Sequence, residues 1–167
     1  MAADSPSAEA SAPRIRRSIL FVCTGNTCRS PLAESLCRFK LAQALGCRPG
    51  ELAERGFAVA SAGVMALPGD SANPQAIQAA EEAGAELAAH RSRPLTPEML
   101  AEATDVIAMT EMHLMLVARY AAGPEPKLLC AGEDIPDPIG GDTDEYRACA
   151  RVIAAQLDRL IPEWLGP

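Results

Sequence analysis

A chain of 167 residues is long enough to bury a real core and short enough to do so as one domain. Its 22 acidic against 15 basic residues give a formal net charge of −7, a field that repels DNA and RNA, and no basic patch along the chain is dense enough to override it. No apolar run reaches membrane-span length, and six cysteines without paired CxxC spacing beside only two histidines argue against both a secreted disulfide framework and a structural zinc site.

Residues 1–13 are small and polar, rich in Ala, Ser and Pro, and lack the apolar core of a signal peptide; a disordered tail is expected there, ahead of a domain over 14–167, in a cytoplasmic protein. Arg14, Arg16 and Arg17 read as a solvated flank. Ser18–Val22 is a continuous apolar run with β-branched and aromatic members, the pattern of a buried parallel strand. The strand pattern then stops abruptly. Gly25 and Asn26 tolerate left-handed backbone, and Ser30-Pro31 reads as an N-cap with proline in the first helical position. Leu32, Leu36, Phe39 and Ala42 recur at helical spacing as far as a Gly46 C-cap.

A second strand is expected at Phe57–Ser61, leading into Ala62-Gly63, and a helix from Asn73-Pro74 to near Gly84. Thr96-Pro97 opens a short helix through Leu100, and Asp105–Met109 reads as a third strand. Thr110 caps a helix whose Met112, Met115 and Leu116 read as core packing, while His90 and His113 read as surface or capping residues. Lys127–Cys130 is a short fourth strand. The last helix starts near Asp142, which has capping-box spacing to Glu145, and its buried stripe is Tyr146, Cys149, Ile153, Leu157 and Leu160. Strands alternating with helices predict an α/β fold: one three-layer domain with a four-stranded parallel sheet flanked by helices, its ligand site at the carboxyl ends of the strands.

Cys23 stands at such an end. Strand, tight loop and helix N-terminus in direct succession make a row of backbone N–H groups fit for an oxyanion, finished by the helix dipole and the fork of Arg29. No Gly-Lys-Ser/Thr follows, which excludes a Walker loop. A thiol in these surroundings is driven towards thiolate, the form that attacks phosphorus, and the order Cys, five residues, Arg, Ser is the logic of a cysteine phosphatase. The loop from Gly132 to Gly141, punctuated by prolines and glycines, offers the acid that a thiolate mechanism needs in Asp137, with Asp134 as a turn or salt-bridge residue.

The stretch Val22-Cys23-Thr24-Gly25-Asn26-Thr27-Cys28-Arg29-Ser30-Pro31-Leu32-Ala33-Glu34 resembles the signature of the low-molecular-weight protein tyrosine phosphatases, and Asp137-Pro138 resembles their second catalytic motif. The likeness runs from about Ile15 to the end of the last helix. It implies a Rossmann-like fold of the phosphotyrosine protein phosphatase I type, with Cys23, Arg29 and Asp137 catalytic and Thr24, Gly25, Asn26, Thr27, Cys28 and Ser30 around the phosphate. It also implies no metal or other cofactor, and a monomer acting on phosphorylated protein substrates. The whole loop Cys23-Thr24-Gly25-Asn26-Thr27-Cys28-Arg29, with Ser61-Ala62-Gly63-Val64 and Asp137-Pro138-Ile139-Gly140-Gly141, resembles the protein arginine phosphatase branch more than the tyrosine branch, departing from it at Ile139, where that branch tends to carry an aromatic. Phosphoarginine is therefore the expected substrate and phosphotyrosine the alternative. An arsenate reductase on the same scaffold would draw on Cys28, Cys130 and Cys149 as relay thiols. Cys28 itself could trap an oxidised Cys23 as a disulfide, or only fill space beneath the loop.

Overall fold

A computed structural model describes residues 11–167, so the expected tail falls largely outside the described residues. The fold is built outward from β1 (Arg17–Cys23), whose side chains from Ile19 onward are buried on both faces. Ile19, Phe21 and Cys23 point into one apolar cluster, and Leu20 and Val22 into another on the opposite face. Strand side chains alternate, so a strand covered on both sides must be apolar at every position, which is why the run in the sequence is unbroken.

β2 (Phe57–Gly63) and β3 (Asp105–Ala108) flank β1, both parallel to it, with Cys23 beside Gly63 and Val22 beside Ala108. β4 (Lys127–Leu128) completes the order β2-β1-β3-β4. One face is covered by α1 (Arg29–Leu45), α2 (Pro74–Glu82) and α5 (Thr143–Leu165), the other by α3 (Pro97–Glu102) and α4 (Glu111–Ala118). The chain leaves β1 towards one side and returns to the other for β3, so the direction of winding reverses between these strands and a crevice opens at their carboxyl ends. The loop after Cys23 lies in that crevice. Among the described residues no helix is long and apolar enough to cross a membrane.

Four local expectations are corrected. The first helix begins at Arg29 with Cys28 in the N-cap position and no side-chain cap, so Ser30 is inside the helix and its hydroxyl is free for other work. The fourth strand is two residues long, because only Lys127 and Leu128 find partners on β3. Met112 and Met115 are exposed: α4 is a short helix whose sheet-facing stripe, one turn apart, is His113 and Val117, and the methionines fall to its flanks. The stripe of α5 turns at its C-terminal end, with Leu160 half-buried while Ile161 and Trp164 complete the core. Elsewhere caps match their residues: Asn73, Thr96, Thr110 and Asp142 each accept a helix N–H, and Gly46 closes α1 in the left-handed region.

Candidate active site

The loop from Cys23 to Arg29 is shaped by where its carbonyls go. Val64 N–H donates to the Cys23 carbonyl at 2.9 Å, Met65 N–H to Thr24 at 3.0 Å and Asn73 N–H to Thr27 at 2.9 Å. His90 Nε2 donates to the Asn26 carbonyl at 2.8 Å, which requires the proton on that nitrogen. With the carbonyls tied to β2's exit, to α2 and to the segment before Arg93, the amides are left over. Among the described residues, none of the N–H groups of Thr24, Gly25, Asn26, Thr27, Cys28 or Arg29 donates to a protein acceptor. Such a row of donors, opening into the N-terminus of α1, is an oxyanion cradle.

The sharp turn is made by Asn26 at φ 57°, whereas Gly25 is not left-handed. Glycine is demanded instead at Gly63, where an added Cβ would strike the Thr24 carbonyl and come within 3.0 Å of Asn26 N. Asn26 is fully buried and fixed in orientation: its Oδ1 accepts from Arg93 N–H at 3.0 Å, so Nδ2 must be the atom that faces Ser30 Oγ and Ser61 Oγ, each at 2.9 Å. Ser61 in turn donates to Glu34. Ser30 Oγ lies 2.9 Å from Cys23 Sγ. Since that oxygen already accepts from Asn26, its own proton is available to sulfur; the alternative acceptor, the Ala62 carbonyl, is 3.5 Å away.

Arg29 is buried, with Nη1 donating to the Ile135 carbonyl at 3.0 Å and Nη2 to Asp137 Oδ2 at 3.2 Å. The other Asp137 oxygen accepts from Ile139 N–H at 3.1 Å, and the carboxyl group is partly open to solvent. Asp134, expected to be a turn or salt-bridge residue, instead accepts from Glu111 N–H at 2.7 Å at the head of α4, 23 positions away. Thr27 Oγ1 has one weak neighbour, Cys28 Sγ at 3.9 Å, and Ile139 is exposed. Cys28 Sγ lies 3.4 Å from Tyr146 Oη, and burial raises its thiol pKa. Tyr146 is raised as well, first by burial and then by this hydrogen bond, and burial pushes Cys149 up to about 12.

Every residue assigned to the site from sequence is therefore in or against one loop, and Arg29 and Asp137, 108 positions apart, are in contact. Sequence reasoning missed the support behind them: Glu34, Ser61, His90, Arg93 and above all His113. The last is fully buried, with Nε2 2.8 Å from Thr24 Oγ1 and Nδ1 3.0 Å from Thr110 Oγ1. Burial foremost, then the charge of Arg29, lowers its pKa to about 4. A signal existed in the capping-box spacing Thr110 to His113, directly after a strand that ends at the crevice.

Residues 18–165 match the family model described as low molecular weight phosphotyrosine protein phosphatase. The chain is 40% identical over 149 residues to a protein-arginine-phosphatase of Geobacillus stearothermophilus, covering 85% of this chain and 92% of the relative. It is 33% identical over 152 residues to the low molecular weight protein-tyrosine-phosphatase Etp of Escherichia coli K12, covering 88% and 91%. The solved structure of the YwlE arginine phosphatase from Geobacillus stearothermophilus superposes with a TM-score of 0.76 at 38% identity, over 89% of this chain and 93% of that one.

Proposed function

The chain belongs to the low molecular weight phosphotyrosine protein phosphatase family, whose members are cysteine-based phosphatases, and on that premise we propose that it hydrolyses phosphoarginine in proteins. The observation that carries the chemistry is the loop whose carbonyls are tied outward and whose amides from Thr24 to Arg29 are, among the described residues, unpaired around Cys23. In the proposed cycle Cys23 Sγ attacks phosphorus in line, forming a P–S bond as the P–N bond to the guanidinium breaks. The loop amides and Arg29 hold the equatorial oxygens, and Asp137 gives a proton to the leaving nitrogen. Water then attacks the thiophosphate with Asp137 as base, releasing phosphate while the Ser30 hydroxyl takes up charge returning to sulfur.

Substrate choice rests on the two walls of the opening. Among the described residues Thr27 Oγ1 is nearly unengaged, free to accept from a guanidinium whose other N–H groups reach the carbonyl oxygen of the protonated Asp137 carboxyl group. Ile139 is aliphatic and exposed, and offers no stacking face to a phenyl ring. The protein-arginine-phosphatase at 40% identity supports the same choice. A second reading, phosphotyrosine, has one observation in its favour: Met65, hydrogen-bonded to the loop through its N–H and largely exposed, supplies apolar surface beside the opening. A thiol relay for arsenate reduction fits poorly, because burial raises both Cys28 and Cys149 away from thiolate.

The deciding measurement is kcat/KM of the native enzyme on peptides matched in sequence and carrying phosphoarginine or phosphotyrosine. A ratio favouring phosphotyrosine would overturn the substrate assignment and leave the family chemistry standing. Arsenate reduction with a thiol donor, assayed beside p-nitrophenyl phosphate hydrolysis, separates the reductase.

A further inference from the structure

The nucleophile loop and the acid loop are both attached to the first turn of α4. On one side His113 Nε2 meets Thr24 Oγ1 at 2.8 Å, one residue past Cys23. On the other, Glu111 N–H donates to Asp134 Oδ1 at 2.7 Å, three residues before Asp137. Ile135 N–H adds a bond of 2.8 Å to the Met109 carbonyl, just ahead of the same helix. The other ties on the 23–28 loop named above come from Ser30 on α1, from Tyr146 on α5, from Ser61 and the exit of β2, from α2 and from the segment around His90 and Arg93. Among the described residues, His113 is the side chain that holds the loop from the β3 side.

Its proton can be placed by elimination. Thr110 Oγ1 accepts from the backbone N–H of His113 at 3.3 Å and lies 3.0 Å from Nδ1. If Nδ1 carried the ring proton, the Thr110 hydroxyl would accept twice and its own hydrogen would be left without an acceptor in a buried position. If Nδ1 accepts from Thr110, then Nε2–H donates to Thr24, and the hydrogen left over belongs to Thr24, which is only half-buried. The second arrangement satisfies the buried groups. The ring is then a neutral donor to the loop.

The geometry points to His113 as a positioning residue of the phosphatase site. Donating from Nε2, it fixes Thr24 and hence the first amides of the cradle, and through α4 it sets them against the loop that carries Asp137. A row of unpaired N–H groups has no internal bonds to keep its shape, so the conformation must be imposed from outside, and a tie next to the nucleophile acts where the phosphoryl group is gripped. This inference rests on the reading of the 23–30 loop as the phosphate cradle.

The test uses p-nitrophenyl phosphate as substrate and inorganic phosphate as competitive inhibitor, so it does not depend on the choice between phosphoarginine and phosphotyrosine. Hydrolysis by the native enzyme and its loss in Cys23→Ser first secure the cradle reading on its own. His113→Phe keeps the ring and removes the donor; Thr24→Val keeps the shape and removes the hydroxyl. Each is expected to lower kcat and weaken phosphate inhibition by about three- to tenfold, the worth of one hydrogen bond. The double variant is expected to lose no more than the worse single one, because both cut the same bond. His113→Gln, whose amide N–H can reach Thr24, is expected to recover most of the loss. Losses that multiply in the double variant, a Gln variant as impaired as the Phe variant, or a folded His113→Phe enzyme with native phosphate inhibition would each overturn the proposal. Should His113→Phe fail to fold, an unimpaired Thr24→Val enzyme overturns it equally.

Discussion

The hydroxyl of Ser30 stands 2.9 Å from the sulfur of Cys23 and at the same distance from the amide nitrogen of Asn26, which donates to it. That amide cannot turn over, because Arg93 N–H holds its oxygen. The hydrogen on Ser30 is thereby steered to sulfur, where it does most when sulfur carries negative charge: as a thiolate before attack, and again as the leaving group when water opens the thiophosphate. Hydrogen bonds to charged groups contribute about 1.5–3 kcal/mol. Ser30→Ala is therefore expected to slow turnover by roughly one to two decades and to slow the second step more than the first. Rapid-quench kinetics on p-nitrophenyl phosphate should show a burst of nitrophenolate larger than in the native enzyme. Burst and steady state slowed by the same factor would sink this assignment.

Cys23→Ser should leave no measurable turnover while inorganic phosphate still binds, since the cradle's donors are backbone amides and Arg29. Asp137→Asn should cost roughly two to four decades on substrates with poor leaving groups, the usual worth of a positioned acid, and clearly less on p-nitrophenyl phosphate, whose leaving group needs little protonation. A plot of rate against leaving-group pKa for native and variant enzymes reads this directly. Parallel lines would remove Asp137 from the acid role.

The parts of the site that lie within one local segment were legible in the sequence. Cys23, Asn26, Arg29 and Ser30 fall within eight consecutive positions, and strand, turn and helix chemistry are read over such distances. Asp137 stands out in the sequence only beside the cysteine loop, whose thiolate chemistry needs an acid, and through its match to the family's Asp-Pro motif; alone, an Asp-Pro pair in a loop dense with turn residues reads as a turn. Ser30 was misplaced as an N-cap for a physical reason: in an ordinary helix the first free N–H groups need a side-chain acceptor, and here they are kept free for an anion. The Met112 and Met115 assignment failed because an eight-residue helix presents barely two turns, too few to show which stripe faces inward when the inward residue is a histidine. His90, Arg93 and Ser61 reach Asn26 across 35 to 67 positions, Glu34 holds Ser61 across 27, and nothing local announces contacts of that range.

The buried His113 gives a stability signature on the acid side. Its folded pKa, about 4, is below the 6.5 of the free side chain, because burial and Arg29 oppose its charge more than Asp134 and Asp137 favour it. Between those values the unfolded chain binds the proton and the folded chain does not. This contribution is thus complete above pH 6.5 and is lost as pH falls towards 4, by something on the order of 3 kcal/mol. Urea melts from pH 7 to pH 4 should show stability declining over that window. In His113→Phe the decline should be visibly shallower, with the remaining slope due to carboxylates. An identical pH profile for both proteins would mean that the ring titrates normally in the fold.

The last expectation concerns Thr27, whose hydroxyl has no strong partner among the described residues, its one neighbour being Cys28 Sγ at 3.9 Å. Its carbonyl is bound to Asn73 N–H, so the backbone there is fixed and a substitution changes what the side chain offers and little else. A guanidinium presents donors in a plane, and an acceptor at Thr27 together with the carbonyl oxygen of the Asp137 carboxyl group would satisfy them; a phenol ring presents none and gains only from apolar contact. Thr27→Ile removes the acceptor and adds about two methylene equivalents of apolar surface, on the order of 1 kcal/mol if half of it is covered by a ring. Leaving the guanidinium one acceptor short costs a further 1 kcal/mol or so. Acting together, the two changes should move the ratio of kcat/KM for phosphoarginine over phosphotyrosine by roughly 10- to 100-fold towards phosphotyrosine. With Cys23, Arg29 and Asp137 untouched, activity on p-nitrophenyl phosphate should stay within a few-fold of native, which separates a change of preference from damage to the cradle. A Thr27→Ile enzyme whose ratio is unchanged would show that this side chain does not face the leaving group, and the discrimination would then have to come from the Asp137 loop alone.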